Sequence, residues 1–155
     1  MIIVADTSPI MNLAVIGRLD ILQQLYGVVS IPEEVQRELS SVDIELPMWL
    51  DIRSVADRSF TDSLAIELHP GEAEAIALAK ELKADLLLID ERRGRQISAR
   101  FGLAHMGLLG VLVVAKRKGI IGEIKPLLNN LLVKAGFWIG KELYVRILQE
   151  VGEVS

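Results

Sequence analysis

Two aspartates sit directly behind apolar runs: Asp6 after Ile2-Ile3-Val4-Ala5, and Asp90 after Leu86-Leu87-Leu88-Ile89. Two glutamates can join them, Glu38 in IPEEVQREL and Glu72 in HPGEAEAIALA. Like charges gathered in a cleft repel one another and are poorly solvated, so such a set needs a counter-charge, and a divalent cation supplies it. Oxygen-only donors suit Mg2+ or Mn2+, which keep several waters and are usually completed by substrate phosphates. Zinc is disfavoured, because the chain has no cysteine and its two histidines, His69 and His105, lack ligand-like partners and read as structural.

Each acid also has a bland reading. Ser8-Pro9 is the better start for the first helix, with the serine as cap and the proline at the first helical position, and that leaves Asp6 without a structural task. Asp90 could equally cap the helix expected from Glu91. Glu72 falls in a first helical turn, where a carboxylate stabilises the macrodipole by roughly 0.3–1 kcal/mol. Glu74 competes with it, but positions i and i+2 of a helix face different ways, so only one of the two can enter a cleft. Glu38 alone reads as a solvated helix acid. Among the bases, Arg92, Arg93 and Arg95 closely follow Asp90, and guanidinium forks match phosphate oxygens. Lys116-Arg117-Lys118 reads as a solvated helix end.

The elements that must position these side chains follow from periodicity and punctuation. Strands are expected at 2–5, 28–31, 86–89 and, with weaker patterning, at 50–55 and 103–106. Helices are expected at 9–16, 19–26, 33–40, 72–83, 91–100, from 107–110 to 118, around 123–135 and at 141–151. Strands alternating with helices imply βαβ crossovers and a parallel sheet between helical layers, with sites outside the carboxyl ends of the strands. That places Asp6 and Asp90 in one crevice if their strands are neighbours.

A chain of 155 residues suits one domain, and we take 1–155 as that domain with 107–155 as its helical C-terminal part. With 51% hydrophobic and 5% aromatic residues the core is aliphatic. The absence of cysteine points to the cytoplasm. The apolar start lacks a basic stretch and is broken by Asp6, so it is no signal peptide, and the run 106–115 is too short to span a bilayer. A net charge of −4 argues against a general nucleic-acid coat while leaving room for a local basic patch.

Taken together, VADTSPIMNL, IPEEVQREL, GEAEAIALA and LLLID with its trailing arginines resemble a PIN domain, closest to the VapC-like branch. The tail GLLGVLVVAKRKGIIGEIKPLLNNLL is similar to that branch's extension. The resemblance implies a three-layer α/β/α fold with a central, mostly parallel sheet and extra C-terminal helices. It implies a metal-dependent ribonuclease, often the toxin of a toxin–antitoxin pair and often a homodimer. Carried over by motif, Asp6, Glu38, Glu72 and Asp90 form the acidic cluster. Asp6, Glu72 and Asp90 would hold Mg2+ or Mn2+, with Glu38 acting through water or a second ion and Thr7 or Ser8 in support. The chain departs from the pattern where many members carry aspartate for Glu72 and a further acid after Asp90; here Glu91 is the nearest substitute. RNA would meet Arg92, Arg93 and Arg95.

Three other classes compete with this reading. A receiver-type phosphoacceptor needs an adjacent acidic pair after the first strand and a late lysine, and neither is present. A haloacid-dehalogenase-type phosphatase needs two aspartates one residue apart, and Asp6-Thr7-Ser8 supplies only the first. A catalytically inert PIN-fold interaction or RNA-binding module is the serious rival, because GLLGVLVVA and the C-terminal helices could form a protein interface.

Overall fold

The computed structural model describes residues 1–153, so the last two residues of the expected domain lie outside the described ones. Its element order is β1 (Ile3–Ala5), α1 (Thr7–Val15), α2 (Asp20–Tyr26), β2 (Val29–Pro32), α3 (Glu33–Ser41), β3 (Leu50–Arg53), α4 (Arg58–Leu64), α5 (Pro70–Leu82), β4 (Leu86–Leu88), α6 (Arg92–Arg100), β5 (His105–Met106), α7 (Leu108–Arg117), α8 (Lys125–Val133) and α9 (Lys141–Glu150). The five strands pair in parallel in the order β3-β2-β1-β4-β5. The chain runs from β1 to β2 and β3 on one side, then crosses to β4 and β5 on the other. The order therefore reverses at β1, and the crevice between β1 and β4 is the switch point where α/β sheets bind ligands.

Strand alternation builds the two cores. Ile3, Ala5 and Leu88 face a core shared with α1, α2, α7, α8 and α9, whereas Val4, Leu87 and Ile89 face a second one under α4, α5 and α6. Both faces of β1 and β4 are covered, which is why their sequences are continuously apolar. Helix α5 lies directly on the sheet because Ala73, Ala75, Ala77 and Ala79 are all fully buried and let its backbone approach closely. Among the described residues, no helix is long and apolar enough to cross a membrane.

The structure differs from the sequence expectation in two informative places. First, α1 begins at Thr7, so Asp6 and not Ser8 occupies the N-cap position, in extended backbone and without a side-chain capping hydrogen bond. The Ser8 hydroxyl instead accepts from Asn12 Nδ2 at 3.1 Å. Asp6 thus stands where a cap would stand while its carboxylate makes no capping bond. Second, α4 was not expected. Its signal was present: Asp57 accepts from the Phe60 amide at 3.0 Å, and Leu64 reaches the core one turn after Phe60. The run of polar residues around it hid the short periodicity.

Candidate active site

Asp6 and Asp90 meet because β1 and β4 are adjacent and in register. Val4 pairs with Leu87 and Ala5 with Leu88, and the Asp6 amide donates to the Leu88 carbonyl at 2.9 Å. Both aspartates therefore leave the carboxyl edge of the sheet side by side. Glu38 arrives from α3 and Glu72 from the first turn of α5. All four line one cavity of about 370 Å³, with Thr7, Ser8, Met11, His69, Glu91 and Phe137 completing its wall. The tertiary structure thus brings together residues spread over more than half the chain.

Three of the four acids are held by one oxygen and leave the other without a partner. Asp90 Oδ1 accepts from the Leu108 amide at 2.7 Å. It therefore caps α7, and not the helix that begins after Glu91. Glu72 Oε1 accepts from the His69 amide at 3.3 Å, returning to the start of its own helix. The Thr7 hydroxyl donates to Glu38 Oε2. The opposite oxygens, Asp90 Oδ2, Glu72 Oε2 and Glu38 Oε1, are buried and accept no hydrogen bond. Glu38 Oε1 does lie 3.0 Å from His69 Nδ1, close enough for an ion pair with a protonated imidazole but without hydrogen-bond alignment. Buried carboxylate oxygens without partners are costly, and three around one cavity call for a cation.

The electrostatics agree. Asp6 is only 4% exposed. Burial pushes its pKa up to about 7, against the pull of the Thr7 amide, and the charges of Glu72, Glu38 and Asp90 add to the rise. Burial also raises Glu72, helped by Glu91 and Glu38, and raises Asp90 despite the Leu108 amide, the Arg95 charge and a Ser8 hydroxyl that approaches the carboxylate without closing a hydrogen bond. The donor set is all oxygen, and three of its oxygens are buried without a hydrogen-bond partner, a chemistry that fits a hard divalent cation. Among the described residues, no three acidic or histidine side chains close on a point as a finished coordination cage.

Three glycines make room for the cluster, and none was singled out from the sequence. A β-carbon on Gly71 would lie 2.6 Å from Glu38 Oε1; on Gly94, 3.1 Å from Glu72 Oε2; on Gly107, 2.8 Å from Asp90 Oδ1. Gly71 reads in sequence only as a helix opener beside Pro70, since the glutamate it accommodates is distant in the chain. His69, expected to be structural, lines the cavity. His105 keeps its structural reading, with Nδ1 3.0 Å from the Leu103 carbonyl. The choice between Glu72 and Glu74 falls to Glu72. Glu74 is buried on another side of α5, where it accepts from the Glu34 amide at 3.1 Å and from Arg58 at 2.9 Å.

The arginines are less concentrated than expected. None of Arg92, Arg93 and Arg95 lines the cavity. Arg93 is engaged by Glu67. Arg92 is exposed, and Arg95 stands near Gly107 and Asp90. The turn of α6 that follows Asp90 carries successive side chains around the helix, so adjacent arginines diverge.

A family model described as PIN domain matches residues 2–153. No curated protein and no solved structure matches the chain.

Proposed function

The chain belongs to the PIN domain family, a family of nucleases, and from that premise we propose that it is a Mg2+- or Mn2+-dependent endoribonuclease hydrolysing phosphodiester bonds of RNA. The observation that carries the reading is the set of four acids on one cavity, three of them with buried and unpartnered oxygens. Asp6, Glu72 and Asp90 would hold the ion, with Glu38 acting through water or a second ion. When bound, such a cation polarises a scissile phosphate and acidifies water.

The chain's own residues prepare this. The Leu108 and His69 amides fix one oxygen of Asp90 and of Glu72, so the remaining oxygens are presented with little freedom. Thr7 does the same for Glu38. Asp6, buried among like charges, holds a proton near neutrality while the cluster is metal-free and gives it up when a cation compensates its charge. Arg95, near Asp90 and Gly107, and the exposed Arg92 would meet a phosphate backbone leaving the cavity.

Within this reading we further infer a toxin of a toxin–antitoxin pair, bound by a cognate antitoxin and homodimeric; the motif likeness to the VapC-like branch supports it. The direct test is incubation of purified protein with mixed RNA in Mn2+ and in chelator, beside Asp6→Asn. Cleavage by the parent in Mn2+ alone, absent from the variant, is expected. Equal cleavage by both would remove the acidic cluster from the mechanism, and a parent inert in every metal tested would favour the interaction-module reading.

A further inference from the structure

Beside the acidic cavity the chain carries a feature that its charge cluster does not use: Lys134-Ala135-Gly136-Phe137-Trp138-Ile139-Gly140-Lys141, the connection between α8 and α9. Gly136 takes a left-handed φ of 63°, and the Phe137 amide donates to the Leu131 carbonyl at 2.9 Å, so the chain folds back over the end of α8. Phe137 packs one part of its ring on the core and turns another into the cavity that holds the four acids. Trp138, the next residue, is 83% exposed. Its indole edge rests beside Gly140, where a β-carbon would lie 3.3 Å from Cη2. Lys134 and Lys141 flank the pair and are exposed, with no ion-pair partner among the described residues.

A large, flat, exposed indole offers a rigid stacking face at little conformational cost. Its surroundings say what would stack there. One neighbouring aromatic opens onto an anionic, cation-seeking cavity suited to a phosphodiester, and two exposed lysines flank the pair along the chain. Aromatic faces interleaved with lysines fit the alternating bases and phosphates of a single strand.

We propose that Phe137 and Trp138 form a stacking platform for nucleobases of a single-stranded nucleic acid whose scissile phosphate enters the acidic cavity, with Lys134 and Lys141 contacting flanking phosphates. The inference rests on reading that cavity as a nuclease site, and it names where the strand runs beyond the cleaved bond.

The test uses the full chain in chelator, so binding is read without cleavage. A Trp49→Phe background leaves Trp138 as the sole tryptophan. Its emission is titrated with ten-nucleotide oligouridylate, oligoadenylate, the matching DNA strands and an abasic deoxyribose-phosphate strand. Base-containing strands quench Trp138 and the abasic strand does not; a preference for RNA over DNA would assign the 2′-hydroxyl a part. Trp138→Ala weakens strand binding by about five- to a hundredfold, as expected for one lost stacking partner, with an unchanged melting temperature, and Trp138→Phe recovers part of it. Lys134→Gln and Lys141→Gln each lower the salt slope of binding by about 0.7. With metal present, Trp138→Ala raises KM for RNA.

Equal affinity of Trp138→Ala and parent, or equal quenching by the abasic strand, overturns the platform while leaving cleavage and the nuclease reading untouched. Sedimentation at twice the monomer mass, lost in Trp138→Ala, would assign the indole to a second protein copy and also overturn it. Conversely, strand binding without metal-dependent cleavage would sustain the platform and sink the nuclease.

Discussion

Gly71 and Glu38 are in contact: a β-carbon on Gly71 would lie 2.6 Å from Glu38 Oε1 and 2.8 Å from Oε2. The space that lets the α3 carboxylate reach the cavity is created by a missing side chain on α5. Gly71→Ala pushes back only the far end of a flexible side chain, and alanine suits a helix better than glycine by roughly 0.5–1 kcal/mol. We expect the melting temperature to hold or rise slightly while RNA cleavage falls by about ten- to a hundredfold, the cost of a misplaced polar group. Parallel melting and activity assays check it; unchanged cleavage would mean that Glu38 takes no part.

Asp6 sets the pH dependence of the metal-free protein. Its folded pKa of about 7 exceeds the ordinary aspartate value of 3.8. Between those values the native state binds more protons than the unfolded one, so stability falls as pH rises, and the full penalty is present above about pH 7. Burial raises Glu72 and Asp90 with the same sign. In chelator the protein should be more stable at pH 5 than at pH 8, by on the order of a few kcal/mol of unfolding free energy. Asp6→Asn should flatten that slope. A parent more stable at pH 8 would contradict the crowded-acid picture.

Mn2+ should act in the opposite direction. An ion that binds the ionised cluster and not the unfolded chain stabilises by mass action, and it competes with the Asp6 proton. The Mn2+-induced rise in melting temperature should therefore be larger at pH 8 than at pH 5, and small in Asp6→Asn. Calorimetric titration at the two pH values, with proton release followed through buffer ionisation, measures it directly.

Asp90 separates structure from chemistry. Its Oδ1 caps α7 through the Leu108 amide at 2.7 Å, while Oδ2 is buried and unpartnered. Asp90→Asn keeps a capping oxygen and should abolish cleavage with little loss of stability. Asp90→Ala also removes the cap and should cost about 1 kcal/mol more in denaturant unfolding. Equal stability of the two variants would show that the cap contributes nothing.

Glu72 and Glu74 should exchange phenotypes. Glu72→Gln retains an oxygen for the His69 amide and loses charge at the cavity, so activity falls and the fold stands. Glu74 is 7% exposed and anchors the Glu34 amide and Arg58. Glu74→Ala leaves that amide short of a partner and should destabilise by about 1–3 kcal/mol while leaving RNA cleavage near the parent rate at a temperature where it is folded.

The sequence by itself determined the alternation of strands and helices and the acids behind the first and fourth strands. Apolar runs, Pro32 and Pro70 at helix starts, and glycines behind helices are local signals, and local signals survive in one dimension. It did not determine that β1 and β4 would be neighbours, since a crossover chooses its side through the packing of both cores. Nor could it set Glu72 above Glu74, because that depends on how α5 is rotated against the sheet by its four buried alanines. The service of Gly71, Gly94 and Gly107 to carboxylates elsewhere in the chain, the approach of His69 to Glu38 and the arrival of Phe137 at the cavity were decided only in three dimensions. The physical reason is the same for all: a close approach leaves no periodicity behind, and space between elements distant in the chain exists only once they pack.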